Sequence, residues 1–507
     1  MKFKLLLSIL TLSLFGINSK CQDKGNYIWN LGYALPLPFE NYPDSIRMRY
    51  GGTDIDFNNS PPTLRRIERE ISFNGACTSI CDDDGNLLFY TNGCYVFNRD
   101  HTLMENGQDI NAGKFHDDYC SRDNGYISGL QSALIIPDFY KSGIYYLVHE
   151  KVEQLFPDEY STLQYSVIDM NANNGLGRVA EKNIRITQDS IYFGWFTAVK
   201  HANQRDWWIV VPEDSSDVYI VVLLDSLGFK KQHEQKIGPK VGYYGQASGQ
   251  AKISPDGKKY ARYTQTEQVL LMDFDRETGV LSNFQQIILR DTVFSGGLEF
   301  SPNSRFLYVA VGFFVYQLDL WADDIEASKE IVAVFDGFVD FLRTTFSYMQ
   351  LTPDCRIFIN TPSSSRYWHV IENPDEKGLA CNLTQHSLRL PTWNFNTMPY
   401  FPNYRLGPPG DEGLPCERVS STAPSIPTNN VYVYPNPTAG ATKIDLEGSP
   451  EIELGFQLFS PTGQQLLHTN IRNGQEVDLT VISPGLYFYV ISDRQGHKWA
   501  GKLSVIK

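Results

Sequence analysis

The sequence predicts an all-β protein: a six- or seven-bladed β-propeller followed by a small immunoglobulin-like β-sandwich. Six hairpin patterns recur roughly 47 to 65 residues apart, a period typical of four-stranded propeller blades. Long helical patterns are absent, and a Pro-, Ser- and Thr-rich stretch precedes a short strand-forming end. A chain of 507 residues also exceeds one ordinary core, so we expect more than one unit.

The first residues have the composition of a secretory signal peptide. Two lysines precede an apolar run from Leu5 to Ile17, and small or polar residues follow. We expect cleavage after Cys21, which makes 1–21 the signal. The alternative, acylation of Cys21, needs a small residue where Lys20 stands. No other apolar run approaches the roughly 20 residues of a membrane helix, so we expect no transmembrane helix in the mature chain.

Net charge and cysteine content restrict the partners and the compartment. The formal net charge is −14, and removing the three lysines of the signal makes it −17. This charge disfavours nucleic acid and anionic membranes as partners. An odd number of cysteines remains after cleavage, so at least one thiol stays free or pairs between molecules, with the connectivity open. These cysteines are Cys77, Cys81, Cys94, Cys120, Cys355, Cys381 and Cys416.

The pattern Cys77-x-x-x-Cys81 is the first of two candidate metal motifs. It lacks a second ligand pair and lies in a strand-like stretch, so we expect no metal there. The stretch 169–177 alternates Asp and Asn as calcium loops do, but its glycine comes one residue late and Ala180 takes the twelfth position. We therefore predict no cofactor, with calcium as the alternative at that stretch.

Each of the six hairpin patterns has an apolar strand, a tight turn and a second strand rich in aromatic and β-branched residues. Pro presets φ and Asp or Asn accepts local backbone bonds, so a turn such as "SPDG" closes a hairpin. The turn residues are Asp84, Asp138, Asn203, Asp256, Asn303 and Asp354.

Two rows of residues precede these turns. The row five positions earlier is mostly small or apolar, as innermost strands require where they crowd toward a central axis. Its members are Ser79, Ala133, Ala198, Ala251, Leu298 and Met349. The row four positions earlier contains two charges at equivalent places on successive strands. Its members are Ile80, Leu134, Val199, Lys252, Glu299 and Gln350.

These patterns divide the chain. Residues 22–406 are predicted to form the propeller, with an array of β-sandwiches as the alternative. The segments 26–34 and 51–59 are expected to close the ring with strands from the C-terminal end, as a seventh blade or by completing the sixth. By composition 407–430 is a linker, and 431–507 is the small sandwich.

The last module resembles the C-terminal sorting domain of type IX (Por) secretion in Gram-negative bacteria. The resemblance depends on "YPNPTAG", the turn "PTGQQL", "SPGLYFYVI" and the terminal "KLSVIK". The motif residues are Tyr434, Pro435, Asn436, Pro437, Gly440, Gly485, Tyr487 and Lys502. The resemblance implies Sec export, folding in the periplasm, passage through the outer membrane by the type IX machinery, removal of the tail, and release or attachment at the cell surface. An ordinary immunoglobulin-like accessory domain is the alternative.

Most of the first 400 residues are also similar to a propeller of large secreted or gliding-motility-associated proteins from the same bacteria. The similarity depends on stretches such as "GNLLFYTNGCYVFNRDHTLMENG", "QSALIIPD" and "TAVKHANQRDWWIVV". It implies architecture and supplies no catalytic residues.

Candidate binding residues come from the face that carries the loops entering each innermost strand and the loops between second and third strands. We place there 116–129, 149–162, Trp195, 242–246 and 361–368. The candidates are Arg122, His149, Trp195, Tyr244, Lys252, Glu299 and Trp368.

The chemistry expected of these residues differs among them. Lys252 and Glu299 should pair across the channel wall in a structural role, with acid–base catalysis as the alternative. We expect the aromatic residues Trp195, Tyr244 and Trp368, with Tyr243, to fill the space between blades; the alternative is that they are exposed and stack on sugar rings.

Two functions from different classes fit the sequence. The first is a non-enzymatic surface or secreted protein that presents loops to an unknown extracellular glycan, peptide or protein. The second is a hydrolase or lyase of lactonase or glycosidase type. Four convergent carboxylate or His side chains in the central funnel would favour the enzyme. A funnel filled by apolar side chains and Tyr would favour the binding protein.

Overall fold

A computed structural model describes two compact units, Met1–Arg418 and Val419–Lys507, called here the first and the second unit. The predicted signal peptide, 1–21, lies outside the described residues. Within the described ranges no helix is long and apolar enough to cross a membrane. Those ranges are 24–34, 43, 49–120, 125–126, 129, 131–154, 160–191, 194–241, 249–289, 295–417, 431–446, 453–460, 464–493 and 498–506.

The first unit is a succession of antiparallel sheets whose strands pair in chain order, which confirms the all-β prediction. The first two sheets have three strands each, and one short helix follows them. Their strands are β1 Ile28–Gly32, β2 Gly52–Asp56 and β3 Thr63–Ile67, then β4 Thr78–Cys81, β5 Leu87–Thr91 and β6 Val96–Asn98; the helix is α1 Lys114–Tyr119.

Five further sheets of four strands follow in the described part of this unit. The third and fourth sheets contain β7 Ala133–Pro137, β8 Ile144–Gln154, β9 Tyr160–Asp169 and β10 Arg178–Arg185, then β11 Thr197–Lys200, β12 Trp207–Pro212, β13 Val218–Asp225 and β14 Gly228–Lys236. The last three contain β15 Ala251–Ile253, β16 Lys259–Thr264, β17 Gln268–Phe274 and β18 Leu281–Ile287, then β19 Gly296–Phe300, β20 Phe306–Val311, β21 Phe314–Asp319 and β22 Glu330–Val334, then β23 Met349–Leu351, β24 Ile357–Ile359, β25 Ser365–Ile371 and β26 Leu383–Asn394.

The six predicted hairpins are confirmed as the first two strands of the second to seventh sheets. Their turns use the expected chemistry. Asp256 Oδ1 accepts the Lys258 N–H at 3.0 Å, and Asn303 Oδ1 accepts the Arg305 N–H at the same distance. Both predicted rows lie in the first strands and are buried. Because first strands of successive sheets touch, as β15 touches β19 and β19 touches β23, the arrangement is propeller-like.

The C-terminal end of the first unit returns to its first sheet. The stretch that ends in β4 runs antiparallel to the one that contains β1, since Phe73 N–H donates to Gly32 O and Cys81 N–H donates to Gly25 O. After β26 the chain passes down the centre as residues 397–406, which we call the channel segment. It runs parallel to β4: Thr397 Oγ1 donates to Phe73 O at 2.8 Å, and Tyr400 N–H donates to Cys77 O at 3.2 Å. The segment forms no regular strand, and the closure of a ring by the first sheet stays a prediction.

The predicted linker begins too early. A disulfide joins Cys416 to Cys355 in the β23–β24 turn, and Glu417 N–H donates to Pro353 O at 2.9 Å. Lys258 Nζ also lies 2.9 Å from a Glu412 carboxylate oxygen. Residues 407–417 thus belong to the first unit, because long-range contacts hold a stretch whose composition resembles a linker. The rest of the predicted linker, 418–430, lies outside the described residues.

The remaining cysteines bear out the expectation of unpaired thiols. A second disulfide joins Cys94 and Cys120. Cys77, Cys81 and Cys381 are buried and take part in neither disulfide.

The second unit has two antiparallel sheets around one core. Ile444 and Val477 from one sheet pack with Phe456 and Leu503 from the other. The sheets are β27 Val431–Tyr434, β28 Ala441–Leu446 and β31 Glu476–Asp478, in the order β27-β28-β31, and β29 Glu453–Phe459, β30 Gln465–Arg472, β32 Gly485–Asp493 and β33 Lys498–Val505, in the order β30-β29-β32-β33.

Candidate functional site

The channel of the first unit is filled by its own chain. Tyr400 and Tyr404, both buried, bond to the first strands of two successive sheets: Tyr400 shares a hydrogen bond with the Thr197 hydroxyl in β11, and the Tyr404 hydroxyl donates to Ile135 O in β7 at 2.8 Å. The Phe401 ring lies 5.8 Å from the Trp29 ring. The sequence signal for this segment, two tyrosines among prolines after the last predicted strand, was not recognised.

The space left beside the channel segment is small. A cavity of about 50 Å³ lies between this segment and the first strands β11, β15, β19 and β23. One water molecule needs about 10 to 15 Å³ by this measure and a benzene ring about 150 Å³, so this cavity has room for water and not for a sugar or lactone. Its lining includes Val199, Lys252, Glu299 and Gln350, all from the row four positions before the turns.

The expected pair between Lys252 and Glu299 is present. Lys252 Nζ lies 2.8 Å from Glu299 Oε2, and each side chain is 5% exposed. Lys252 Nζ also donates to Gln350 Oε1 at 2.7 Å and lies 5.0 Å from the Tyr400 ring centre. Burial lowers the pKa of Lys252, and the carboxylate of Glu299 opposes that shift.

Glu299 has further partners of its own. Its Oε2 accepts the Leu351 N–H at 2.9 Å, and its Oε1 accepts the Phe300 N–H at 3.0 Å. Because both charged groups are buried and hydrogen-bonded, the geometry fits a structural pair. The proposed binding role of these two residues stays a prediction.

His149 does not lie on a loop, as the sequence analysis expected of 149–162. It is fully buried inside β8, which runs through Gln154. Its Nδ1 lies 2.5 Å from Asn111 Oδ1 and its Nε2 lies 2.9 Å from Ser166 Oγ. Burial lowers the pKa of His149 to about 3. An eleven-residue strand carries this imidazole into the core, where it is neutral and cannot meet a ligand at the surface.

The two candidate tryptophans in the described residues are also buried. Trp195 Nε1 donates to Gly249 O at 3.0 Å, and the Arg262 guanidinium lies 4.6 Å from the Trp195 ring centre. Trp368 lies inside β25, in the stretch predicted as a loop over 361–368. These two rings fill the space between sheets, as expected, and the alternative of exposed rings that stack on sugars is wrong for them. Arg122, Tyr243 and Tyr244 lie outside the described residues.

The candidate metal motifs have structural partners. Cys77 Sγ donates to Asn30 O at 3.2 Å, and burial raises the pKa of Cys81 to about 12. Asp169 Oδ1 accepts the Asn171 N–H at 3.0 Å in a hairpin turn. In the part of the chain that the structure describes, no group of three or more His, Cys, Asp or Glu side chains is placed to hold a metal. Calcium stays an untested alternative.

Sequence reasoning also missed two buried cations of the first unit. Arg69 pairs with Asp54 between the first two sheets, and Lys200 Nζ donates to Tyr404 O in the channel. Neither basic residue stands in a pattern that would separate it from a surface residue.

In the second unit the structure joins two motifs that are distant in sequence. Asn436 Nδ2 donates to Lys502 O at 2.7 Å, and Asn436 Oδ1 accepts the Ser504 N–H at 3.0 Å. Thr438 N–H donates to Ser504 O at 2.9 Å, and Ile506 N–H donates to Thr438 O at 2.8 Å. The segments "YPNPTAG" and "KLSVIK" therefore form one structural element.

The other motif residues divide into exposed and buried positions. Tyr434, Pro435 and Pro437 are exposed. Tyr487 is buried, and its hydroxyl donates to Ser483 O at 2.7 Å. Gly440 O accepts the Leu479 N–H at 2.7 Å, and Gly485 begins β32.

Comparison with known proteins identifies the second unit. Residues 432–506 match the model of the secretion system C-terminal sorting domain. The chain therefore carries a type IX sorting domain, which indicates export to the cell surface or secretion. A search of curated proteins found no match.

Solved structures give only distant likenesses. A candidate 6-phosphogluconolactonase from Bacteroides uniformis is 13% identical, with 89% of this chain and 99% of that chain covered and a TM-score of 0.37. A gluconolactonase from Xanthomonas campestris is 11% identical, with 67% and 93% covered and a TM-score of 0.30. A functionally unknown protein from Desulfotomaculum acetoxidans is 12% identical, with 67% and 92% covered and a TM-score of 0.29. Likenesses at these TM-scores assign no activity to this chain.

Proposed function

We propose that the first unit is a seven-bladed propeller that binds an extracellular glycan, peptide or protein without catalysis. The second unit, an immunoglobulin-like sandwich, delivers it through type IX secretion. The ligand binds to the face that carries the loops entering the innermost strands. No cofactor takes part.

The filled channel carries this proposal. Propeller enzymes of the kind considered in the sequence analysis need a funnel with convergent carboxylates, imidazoles or a metal. Here Tyr400, Phe401 and Tyr404 take that space, and the single carboxylate at the remaining cavity, Glu299, is held by Lys252. A cavity of about 50 Å³ is too small for a sugar or lactone ring. Binding at the outer loops needs no cavity in the channel.

The opposite face is built from the hairpin turns and residues 407–417, with the Cys355–Cys416 disulfide and the Lys258–Glu412 pair as anchors. Cavities of about 540 and 340 Å³ lie between these turns and that stretch. The turns themselves are short and close on their own hydrogen bonds. The longer connections lie at the other end of the strands.

Purified secreted protein should be tested on glycan and peptide arrays, and with panels of lactones and glycosides. We expect retention of a ligand and no turnover. Arg122→Ala and Tyr244→Ala, at the proposed face, should weaken retention. Tyr140→Ala is the control, since Tyr140 lies in the β7–β8 turn at the opposite end and is 43% exposed. Turnover that Glu299→Gln abolishes without loss of folding would replace this proposal with a hydrolase or lyase.

A further inference from the structure

We infer that the sorting domain docks on a protein of the export machinery through the outer face of the sheet β30-β29-β32-β33, with Lys502 opposite a carboxylate of that partner. This inference rests on the type IX function of the second unit and assigns the surface that the machinery contacts. We call this surface the docking face; it consists of Phe459, Leu486, Phe488 and Lys502.

Strand register places these residues on one face. In antiparallel strands, residues directly opposite each other point to the same side of the sheet. Phe459 lies opposite Phe488, and Phe488 lies opposite Lys502. Leu486, two residues before Phe488 on β32, points the same way. The alternate residue Tyr487 enters the core.

The docking face has three apolar side chains, of which Phe459 is half-buried and the two on β32 are exposed. Leu486 is 48% exposed and Phe488 is 40% exposed. Lys502, also exposed, has no carboxylate within ion-pair distance among the described residues. Adjacent large apolar side chains left in water, with a cation beside them, are typical of an interaction surface.

One edge of the same sheet, β33, is partly occupied. Residues 436–438 bond four backbone groups along it: Lys502 O, Ser504 N–H, Ser504 O and Ile506 N–H. A partner that added a strand to β33 would first have to remove this segment. The machinery is therefore expected to contact side chains on the face.

The outer face of the other sheet is a weaker candidate. Tyr432 and Tyr434 are exposed there, but Lys443 lies 5.9 Å from the Tyr434 ring centre and the Tyr434 hydroxyl lies 3.5 Å from Asp445 Oδ2. Its polar groups thus have local partners, whereas the cation of the docking face has none among the described residues. This difference favours a partner with an apolar patch beside a carboxylate, because charge complementarity selects the partner and its orientation.

The test uses the full chain in a host with a working type IX system. The variants are Phe488→Ser, Lys502→Glu and Lys502→Arg, and the control is Tyr432→Ser, an exposed aromatic residue on the other sheet. The exported fraction is measured by cell fractionation, and folding is checked by thermal melting of purified protein. We expect Phe488→Ser and Lys502→Glu to lower export about tenfold or more, as loss of a central contact does. Lys502→Arg and Tyr432→Ser should export normally.

The outcomes separate this inference from the sorting function itself. Suppose that deletion of 431–507 traps the chain, whereas the folded Lys502→Glu variant is exported as well as the wild type. The docking face is then wrong, and the sorting function of the second unit stands. If the deletion is exported as well, the sorting function fails. If Phe488→Ser lowers the melting temperature, its export reports on folding as well. The export of Lys502→Glu alone then tests the docking face. Binding of the purified chain to phosphatidylglycerol vesicles, lost in Lys502→Glu, would make a lipid surface the partner and overturn the inference.

Discussion

Lys252 Nζ lies 2.8 Å from Glu299 Oε2 at the centre of the first unit, where each side chain is 5% exposed. Loss of one partner from a buried pair leaves an uncompensated charge, so Glu299→Gln should lower the free energy of unfolding by about 3 to 5 kcal/mol. Guanidinium denaturation followed by tryptophan fluorescence measures it.

The control for that change is an exposed pair. Lys114 and Asp118 pair across one turn of α1, with the Lys114 side chain 86% exposed. Lys114→Ala should cost less than about 1 kcal/mol. Equal stability of Glu299→Gln and the wild type would remove the structural role of the pair.

The channel segment should be necessary for the first unit to fold. A chain of residues 22–418 should be soluble and melt cooperatively, whereas 22–394 should not, because it lacks the tyrosines that fill the channel and the acceptor of Lys200 Nζ. Size-exclusion chromatography and near-ultraviolet circular dichroism report on packing. A shorter chain that melts as the longer one does would show that the segment contributes nothing.

His149 should make the stability of the first unit depend on pH. Its pKa in the folded chain is lowered to about 3 by burial, against about 6.5 when unfolded. Between these values the unfolded chain takes up a proton that the folded chain does not. The contribution of His149 to the free energy of unfolding is therefore fully present above pH about 6.5. It decreases as the pH drops, by up to about 1.4 kcal/mol per pH unit.

Denaturation at a series of pH values tests this linkage. His149→Gln, referenced to its own stability at pH 8, should show a shallower fall than the wild type. His369 is also buried, with a pKa lowered to about 4, so part of the fall in stability with pH should remain in this variant. Identical slopes for the variant and the wild type would contradict the role of His149.

The disulfide between Cys355 and Cys416 should stabilise the end of the first unit. It joins residues 61 apart, and cross-links of this kind contribute about 2 to 4 kcal/mol. Cys416→Ser should lower stability by that amount, and adding Cys355→Ser should cost little more, since the bond is already lost. Additive losses in the double variant would indicate that the two residues act separately.

The sequence by itself determined the local structure and the export route. Turn residues such as Asp256 and Asn303 close hairpins through bonds to their own neighbours, so the pattern shows without knowledge of the fold. The pairing of Lys252 with Glu299 also followed from sequence, because equivalent positions on successive strands become neighbours when sheets repeat around one centre. The motifs of the sorting domain are equally local.

Only the tertiary structure decided what fills the interior. Trp195 and Trp368 are of a residue type that can stack on sugars. In the folded chain they are core residues buried between sheets, and that burial depends on residues far away in the sequence. The channel segment has no strand periodicity, and contacts with residues more than 200 positions distant hold it. Asn436 meets Ser504 in the same way. Periodicity and turn chemistry act over a few residues, whereas burial and access are set by packing across the whole unit.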